Sequence, residues 1–215
     1  IAGATSSTVS GSMLAELHER LAIHESFWLQ RLSRFSSLPF PFEPQHRADV
    51  NDSPQWHAST WHMLTSLTSL QVHARTDHLL AAWLIYLARL TGETCSQLGW
   101  RASLNPSQPP SPTPIFASIV PLEFDLDLDR PFHEARMAIA AERATLERHE
   151  TFACDFITRQ PVLRSIEALR SERPWRMAIA LVSEPATDGY SPIAGHGDWL
   201  TLEVNALDGR FRWIS

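Results

Sequence analysis

Ten histidines and two cysteines are the side chains of this chain best suited to metal or nucleophile chemistry. Their spacing argues against most of it. His57 and His62 stand five residues apart, as do His73 and His78. Two ligands on one helix face need a spacing of three or four, and a zinc site needs three or four ligands in all. No cysteine pair or carboxylate cluster supplies the rest, so no metal centre is expected. The chain has only 8 glycines and no glycine-rich phosphate loop. It also lacks a Gly-x-Ser-x-Gly elbow for a nucleophilic serine. Cys95 and Cys154 fall inside apolar segments and read as core thiols rather than as a disulfide or a nucleophile. No catalytic residue and no cofactor is expected from these patterns.

Composition narrows the class. At 215 residues and 44% hydrophobic, the chain can bury one real core. Charged residues make up 20%, there are 15 prolines, and the formal charge is −6. All 18 basic residues are arginine, with no basic stripe of the kind that nucleic acid requires. No apolar run reaches the roughly 20 residues of a membrane span. No basic stretch followed by an apolar run opens the chain, so secretion is not expected and a cytoplasmic location is. Residues 1–12 are small and polar and read as a vector-derived, disordered leader, with the domain proper at 13–215.

The elements that would position any site follow from periodicity. Leu14, Leu17, Leu21, Phe27, Trp28 and Leu32 fit one helix over about 14–34. After a proline-rich connector, Trp56–His62 alternates in size and reads as a strand. Leu64–Ala74 reads as a short helix, and Thr76–Asp77 as the cap of a buried helix over about 77–91, Trp83 on its inner side. That helix stops at Thr91-Gly92, and a strand follows, closing on Gly99-Trp100-Arg101. Leu104–Pro114 is a proline-rich loop, and Ile115–Leu128 a strand whose acids at 125, 127 and 129 point outward. Pro131 opens a helix to about Glu147, with Ala135, Ala138, Ile139, Ala141, Ala144 and Leu146 on its buried side. Phe152–Ile157 and Val162–Arg170 read as short helical pieces and Trp175–Val182 as a strand. Trp199–Asn205 and Arg210–Ile214 form a hairpin around Ala206–Gly209. The order gives an α/β class with a mixed β-sheet, helices packed on it, and an antiparallel C-terminal edge.

Four stretches resemble the C-terminal lobe of the condensation domains of nonribosomal peptide synthetases, in the chloramphenicol-acetyltransferase-like superfamily. Phe27-Trp28-Leu29-Gln30-Arg31-Leu32 is similar to the signature that opens that lobe. Leu79–Arg101 resembles its apolar helix ending in a glycine, followed by a Gly-containing strand that closes on arginine. Phe116–Leu122 with Pro131–Ala135, and Pro174–Leu181 with Asp198–Val204, resemble its later strands and helix. The likeness covers nearly all of 14–215. It implies a single lobe of a condensation-domain-like, CoA-dependent acyltransferase-like fold.

The departures bear on function. The family's His-His-x-x-x-Asp-Gly motif belongs to the N-terminal lobe, and this sequence contains no such string. His196-Gly197-Asp198 is its nearest imitation, and it falls on a loop, where a solvated histidine is the plainer reading. A condensation site lies between two lobes, and one lobe cannot position two thioesters or exclude water. The resemblance therefore implies a non-catalytic scaffold that docks an adjacent adenylation domain, another synthetase domain or a trans-acting enzyme. Self-association is a further expectation; nucleic acid and membrane are not. Trp56, Trp61, Pro109 and Pro110 are the expected rim of such an interface, as aromatics near strand ends and a proline-rich loop. Two alternatives stay open: half of an active acyl or peptidyl transferase, excised or completed by a partner, and an unrelated α/β domain.

Overall fold

A computed structural model describes residues 11–40, 57–101, 115–171, 174–182 and 200–215, the side chains of 11–14 excepted. Its centre is helix α3, Val72–Thr91. Asp77, Leu80, Leu84, Leu87 and Ala88 repeat at three and four residues and are buried, so one stripe faces inward along its length. Gly92 ends it in a left-handed conformation (φ 78°), its N–H bonded to the Ala88 carbonyl at 2.9 Å. That is the glycine stop the sequence predicts.

α3 packs on a five-stranded mixed sheet. Strands β1 (Cys95–Arg101), β2 (Ile119–Asp125), β3 (Met177–Val182), β4 (Leu200–Asn205) and β5 (Phe211–Ile214) lie in the order β2-β1-β3-β4-β5. The outer pairs are antiparallel and the inner ones parallel. The mixed sheet and its antiparallel C-terminal hairpin are as the sequence predicts. Gly99 sits where β1, β2 and β3 crowd together. A Cβ there would overlap the Ile119 side chain and press on Ala178.

Helices α1 (Gly11–Ala22) and α2 (Glu25–Leu32) precede α3, and α4 (Phe132–His149) follows β2. The short turns α5 (Phe156–Arg159) and α6 (Pro161–Arg164) lead on to a 3-10 turn at Glu167–Arg170. Trp28, Trp175, Phe156, Leu32 and Leu80 are fully buried in one core, and Leu21 with Phe116 and Ala153 forms a small second cluster.

Several expectations are corrected. The helix predicted over 14–34 is two helices, broken at Ile23–His24. The break turns Leu21 into the small cluster while Trp28 enters the main one. Thr76–Asp77 does not cap α3, which begins five residues before Asp77, at Val72. Asp77 is held there by Arg143 of α4 at 3.0 Å. Ala138, Ala141 and Ala144 are exposed; α4 buries Ile139 and Leu146 and packs on α3 and β2 by a narrow face. Cys95 and Cys154 are exposed free cysteines rather than core thiols. Cys95 is the first residue of β1 and Cys154 lies on the turn before α5, where neither face of a regular element is buried. Trp83 is buried as predicted, at 7% exposure. Residues 1–10 of the predicted leader and the 104–114 loop lie outside the described residues.

The β4–β5 turn is tied to the start of α3 by one side chain. Arg75 donates to the carbonyls of Asp208 (2.7 Å), Thr68 (2.9 Å) and Leu70 (2.8 Å). Gly209 (φ 74°) closes the turn against it.

Because Leu84 is wholly buried on the stripe of α3, Leu84→Asp places an unpaired carboxylate in the core. Urea unfolding is expected to show a loss of about 3–5 kcal/mol, or no folded state. Cooperative unfolding at the parent midpoint would mean that α3 is not the core helix.

Candidate interaction surface

Arg31 is the residue on which the edge of the sheet closes. It stands beside Leu32 on α2, and its side chain is 9% exposed. Its guanidinium grips Glu142 of α4 with two parallel bonds, 2.7 and 2.9 Å. Its Nε lies 3.4 Å from Glu123 of β2, and it donates to the Pro121 carbonyl at 3.3 Å. Gln97 of β1 completes the cluster, donating to Glu123 at 2.8 Å and to the Arg31 carbonyl at 3.1 Å.

The geometry explains why these groups are needed. The backbone groups of Gln97 bond to Ser36 and Leu38, on the far side of β1 from β2. Gln97 faces Glu123 across the ladder, so Glu123 turns its own N–H away from β1. The Glu142 carboxylate accepts that N–H at 3.0 Å. Pro121 has no N–H to offer, and its outward carbonyl is taken by Arg31. Nearer the start of the strand, the same edge is paired with another segment. Ala117 N–H donates to Phe152, and Cys154 N–H to Ile115, at 2.8 and 2.9 Å. Beside this lock, Arg34, Gln97, Asp125 and Ala141 line a groove of about 610 Å³.

The opposite edge is covered too. His57, Ser59 and His62 donate backbone bonds to Ser215, Trp213 and Phe211 at 2.7, 2.9 and 2.8 Å. The strand predicted over 56–62 is therefore a backbone seam with isolated bridges at Ala58 and His62. Both edges are closed at these positions to the strand addition by which bare sheets recruit partners.

Side-chain surfaces remain. Between α3 and the face of β3, β4 and β5 runs an apolar groove of about 510 Å³, lined by Phe40, Trp83, Tyr86, Leu90, Leu200 and Trp213. Trp83 and Trp213 meet there with ring centroids 5.4 Å apart. Tyr86 is 56% and Leu90 39% exposed at its mouth.

Of the predicted interface residues, Trp61 is the one the structure describes. It is half-buried, with Arg212 over its ring at 4.7 Å and Arg210 at 5.9 Å. Arg212 pairs with Glu203, 1% exposed, at 2.7 Å. Side chains alternate along β5; Phe211 and Trp213 face the groove, so Arg212 and Trp61 stand on the other side of the sheet. Trp56, Pro109, Pro110 and His196 lie outside the described residues. The four histidines weighed as metal ligands are scattered: the His62 ring packs 5.8 Å from Phe211 and that of His78 5.0 Å from Phe132. Among the described residues no three of His, Cys, Asp and Glu gather as a metal site. No helix among them is long and apolar enough to cross a membrane. Cys154 is exposed as a residue, yet burial first and Asp155 second push its thiol upward, the reverse of an activated nucleophile.

The sequence reading missed the lock around Arg31. One signal was available: Pro121 inside an apolar strand marks an edge, since it cannot donate to a ladder.

The two single replacements in the lock should differ from the double. Arg31→Met leaves Glu142 without its cation and Glu142→Leu leaves buried Arg31 without its nearest carboxylate, each at an expected cost of about 3–5 kcal/mol, whereas Arg31→Met with Glu142→Leu is expected to recover much of it. Denaturant midpoints of the three variants check this. Equal loss in single and double variants would mean that the pair is not coupled.

No family model and no curated protein matches the sequence. Solved structures do match. The starter condensation domain of rhizomide synthetase RzmA, solved in complex with C8-CoA and Leu-SNAC, superposes at a TM-score of 0.62 with 17% identity, over 93% of this chain and 47% of that one. The first condensation domain of the CDA synthetase superposes at 0.60 with 14% identity, over 99% and 49%. This chain thus spans about half the length of the structures it matches. The mixed α/β fold is that of condensation domains, of whose length this chain covers about one half.

Proposed function

We propose that this chain is a non-catalytic, condensation-like lobe of a nonribosomal peptide synthetase, serving as a docking platform for a neighbouring domain, an adenylation domain in the first instance. The match to condensation domains supports the fold assignment, and the observation that carries the docking role is the exposed apolar groove beside α3. Three features support it. The sequence has no His-His-x-x-x-Asp-Gly string. The nearest bonding partner of Arg31, the most deeply placed ionic group of α2, is a structural carboxylate. The α3 groove offers an apolar surface with Tyr86 and Leu90 outward, while both sheet edges are occupied. Side-chain docking of a folded domain fits such a surface better than strand addition.

A second reading is favoured by the same half-length match. A separate lobe could complete this one into a two-lobed acyl or peptidyl transferase. The rhizomide synthetase domain was solved with an acyl-CoA and an aminoacyl thioester mimic, and a completed site here would take substrates of those classes.

Two measurements separate the readings. The chain alone, given acyl- and aminoacyl-carrier thioesters, is expected to show no transfer above background. Turnover abolished by His196→Ala would contradict the scaffold. For docking, Tyr86→Arg is expected to weaken binding of the adenylation domain at least tenfold by calorimetry, since it puts a charge at the centre of an apolar contact. Loss with Trp61→Ala but not with Tyr86→Arg would move the interface to the other side of the sheet.

A further inference from the structure

The elbow between α1 and α2 carries an arrangement that neither the fold nor the proposed docking uses. His24 lies at the break, and its ring meets that of His149, the last residue of α4, edge to face at 4.9 Å between centroids. His149 is stacked flat on Phe27, 3.7 Å between centroids and 10° between planes. Its Nδ1 lies 2.8 Å from the Thr145 carbonyl and so carries a proton as the donor. Its own carbonyl accepts the indole N–H of buried Trp28 at 3.2 Å. Neither ring can turn away without breaking one of these contacts.

The charges around the pair are few. Arg20 of α1 and Glu150, just beyond α4, face His24 and bind one another at 2.7 Å. Glu25 follows His24 and is held by Arg159 at 2.9 Å. Arg31 lies over the Phe27 ring at 4.7 Å and is committed to Glu142. With the His24 imidazole neutral, the Arg20–Glu150 pair balances. A charged His24 would stand against the Arg20 guanidinium and the His149 ring, with Glu150 opposing them.

α1 has little else to hold it. Leu21, with Leu17 beside it, packs on Phe116 and Ala153, the small cluster separate from the main core. Its last turn is tied through Arg20 to Glu150, which itself stands at φ 50°, the one positive φ outside glycine among the described residues.

We propose that the α1–α2 elbow is a proton-operated latch: α1 stays docked while His24, wedged against the His149 ring and the Arg20–Glu150 pair, is neutral, and is released when His24 carries charge. The electrostatics run the right way. His24 is held below its ordinary 6.5 by burial first, then by His149 and Arg20, against Glu150. The docked state thus prefers neutral His24. Its stabilisation is full above the ordinary value and is lost as the pH falls below it. Release would uncover Leu21, Phe116 and Ala153 beside the strand segment that precedes β2.

Amide hydrogen exchange of the whole chain between pH 8 and pH 5.5, corrected for intrinsic rates, tests the latch. Protection over residues 15–22 is expected to fall severalfold relative to α3. His24→Gln is expected to abolish that fall, leaving α1 protected at both pH values, and His149→Gln is expected to reduce it. Parallel loss in α1 and α3, or an undiminished fall in both glutamine variants, would overturn the proposal. So would full protection of α1 in the parent at pH 5.5.

Discussion

The bidentate contact between Arg31 and Glu142 is the constraint on which the rest of the structure depends. It joins α2 to α4, and α4 in turn holds α3 through Arg143 and Asp77. It also ends the sheet. An edge strand presents unpaired donors and acceptors to any passing chain. Here the Glu123 N–H and the Pro121 carbonyl are consumed by the same two side chains that join the helices. A buried pair of this kind is weak evidence of stability in itself, because desolvation offsets much of the attraction. Its value lies in what it orients: charged groups that fit only one register of β2 against β1 and only one seating of α2.

Closure of both edges shapes what the domain can do. The seam of His57–His62 along β5 performs for one side what Arg31 and Glu142 perform for the other. Recruitment by backbone pairing is blocked at those positions. Contact with a partner then falls to side-chain surfaces, and the α3 groove is the apolar one, with aromatic rings of both helix and sheet in its walls. The Trp61 side is different in kind. There Glu203 and Arg212 bury a charge pair under an indole, an arrangement that gives geometric definition at a cost in desolvation.

Local rules made much of the fold legible. The apolar stripe of α3, its glycine stop, β1 beyond it and the hairpin at Gly209 follow from periodicity and turn chemistry, and the structure has them all. What failed depended on tertiary placement. The alanines of α4 fit a buried face by period, yet they are exposed because α4 lies along the edge of the core and buries only Ile139 and Leu146. The start of α3 was set too late because Thr76 and Asp77 look like caps, whereas Asp77 answers an arginine 66 positions away. Apolar neighbours make Cys95 and Cys154 look buried, but Cys95 opens β1 and Cys154 lies on the turn before α5. The lock itself was hidden for the same reason. Arg31, Gln97, Glu123 and Glu142 are far apart in sequence, and each alone looks like a solvated polar residue. Of the residues expected to rim an interface, Trp61 is a packed aromatic on the side of the sheet away from the apolar groove, and Trp56, Pro109 and Pro110 lie outside the described residues.

The proposed role, contact rather than chemistry, is tested most directly by a hydrogen-exchange map of the chain, free and with a synthetase adenylation domain at saturating concentration. The account predicts added protection at Tyr86–Leu90 and in the facing residues of β4 and β5, with α4 unchanged. An identical map with and without the neighbouring domain would contradict it.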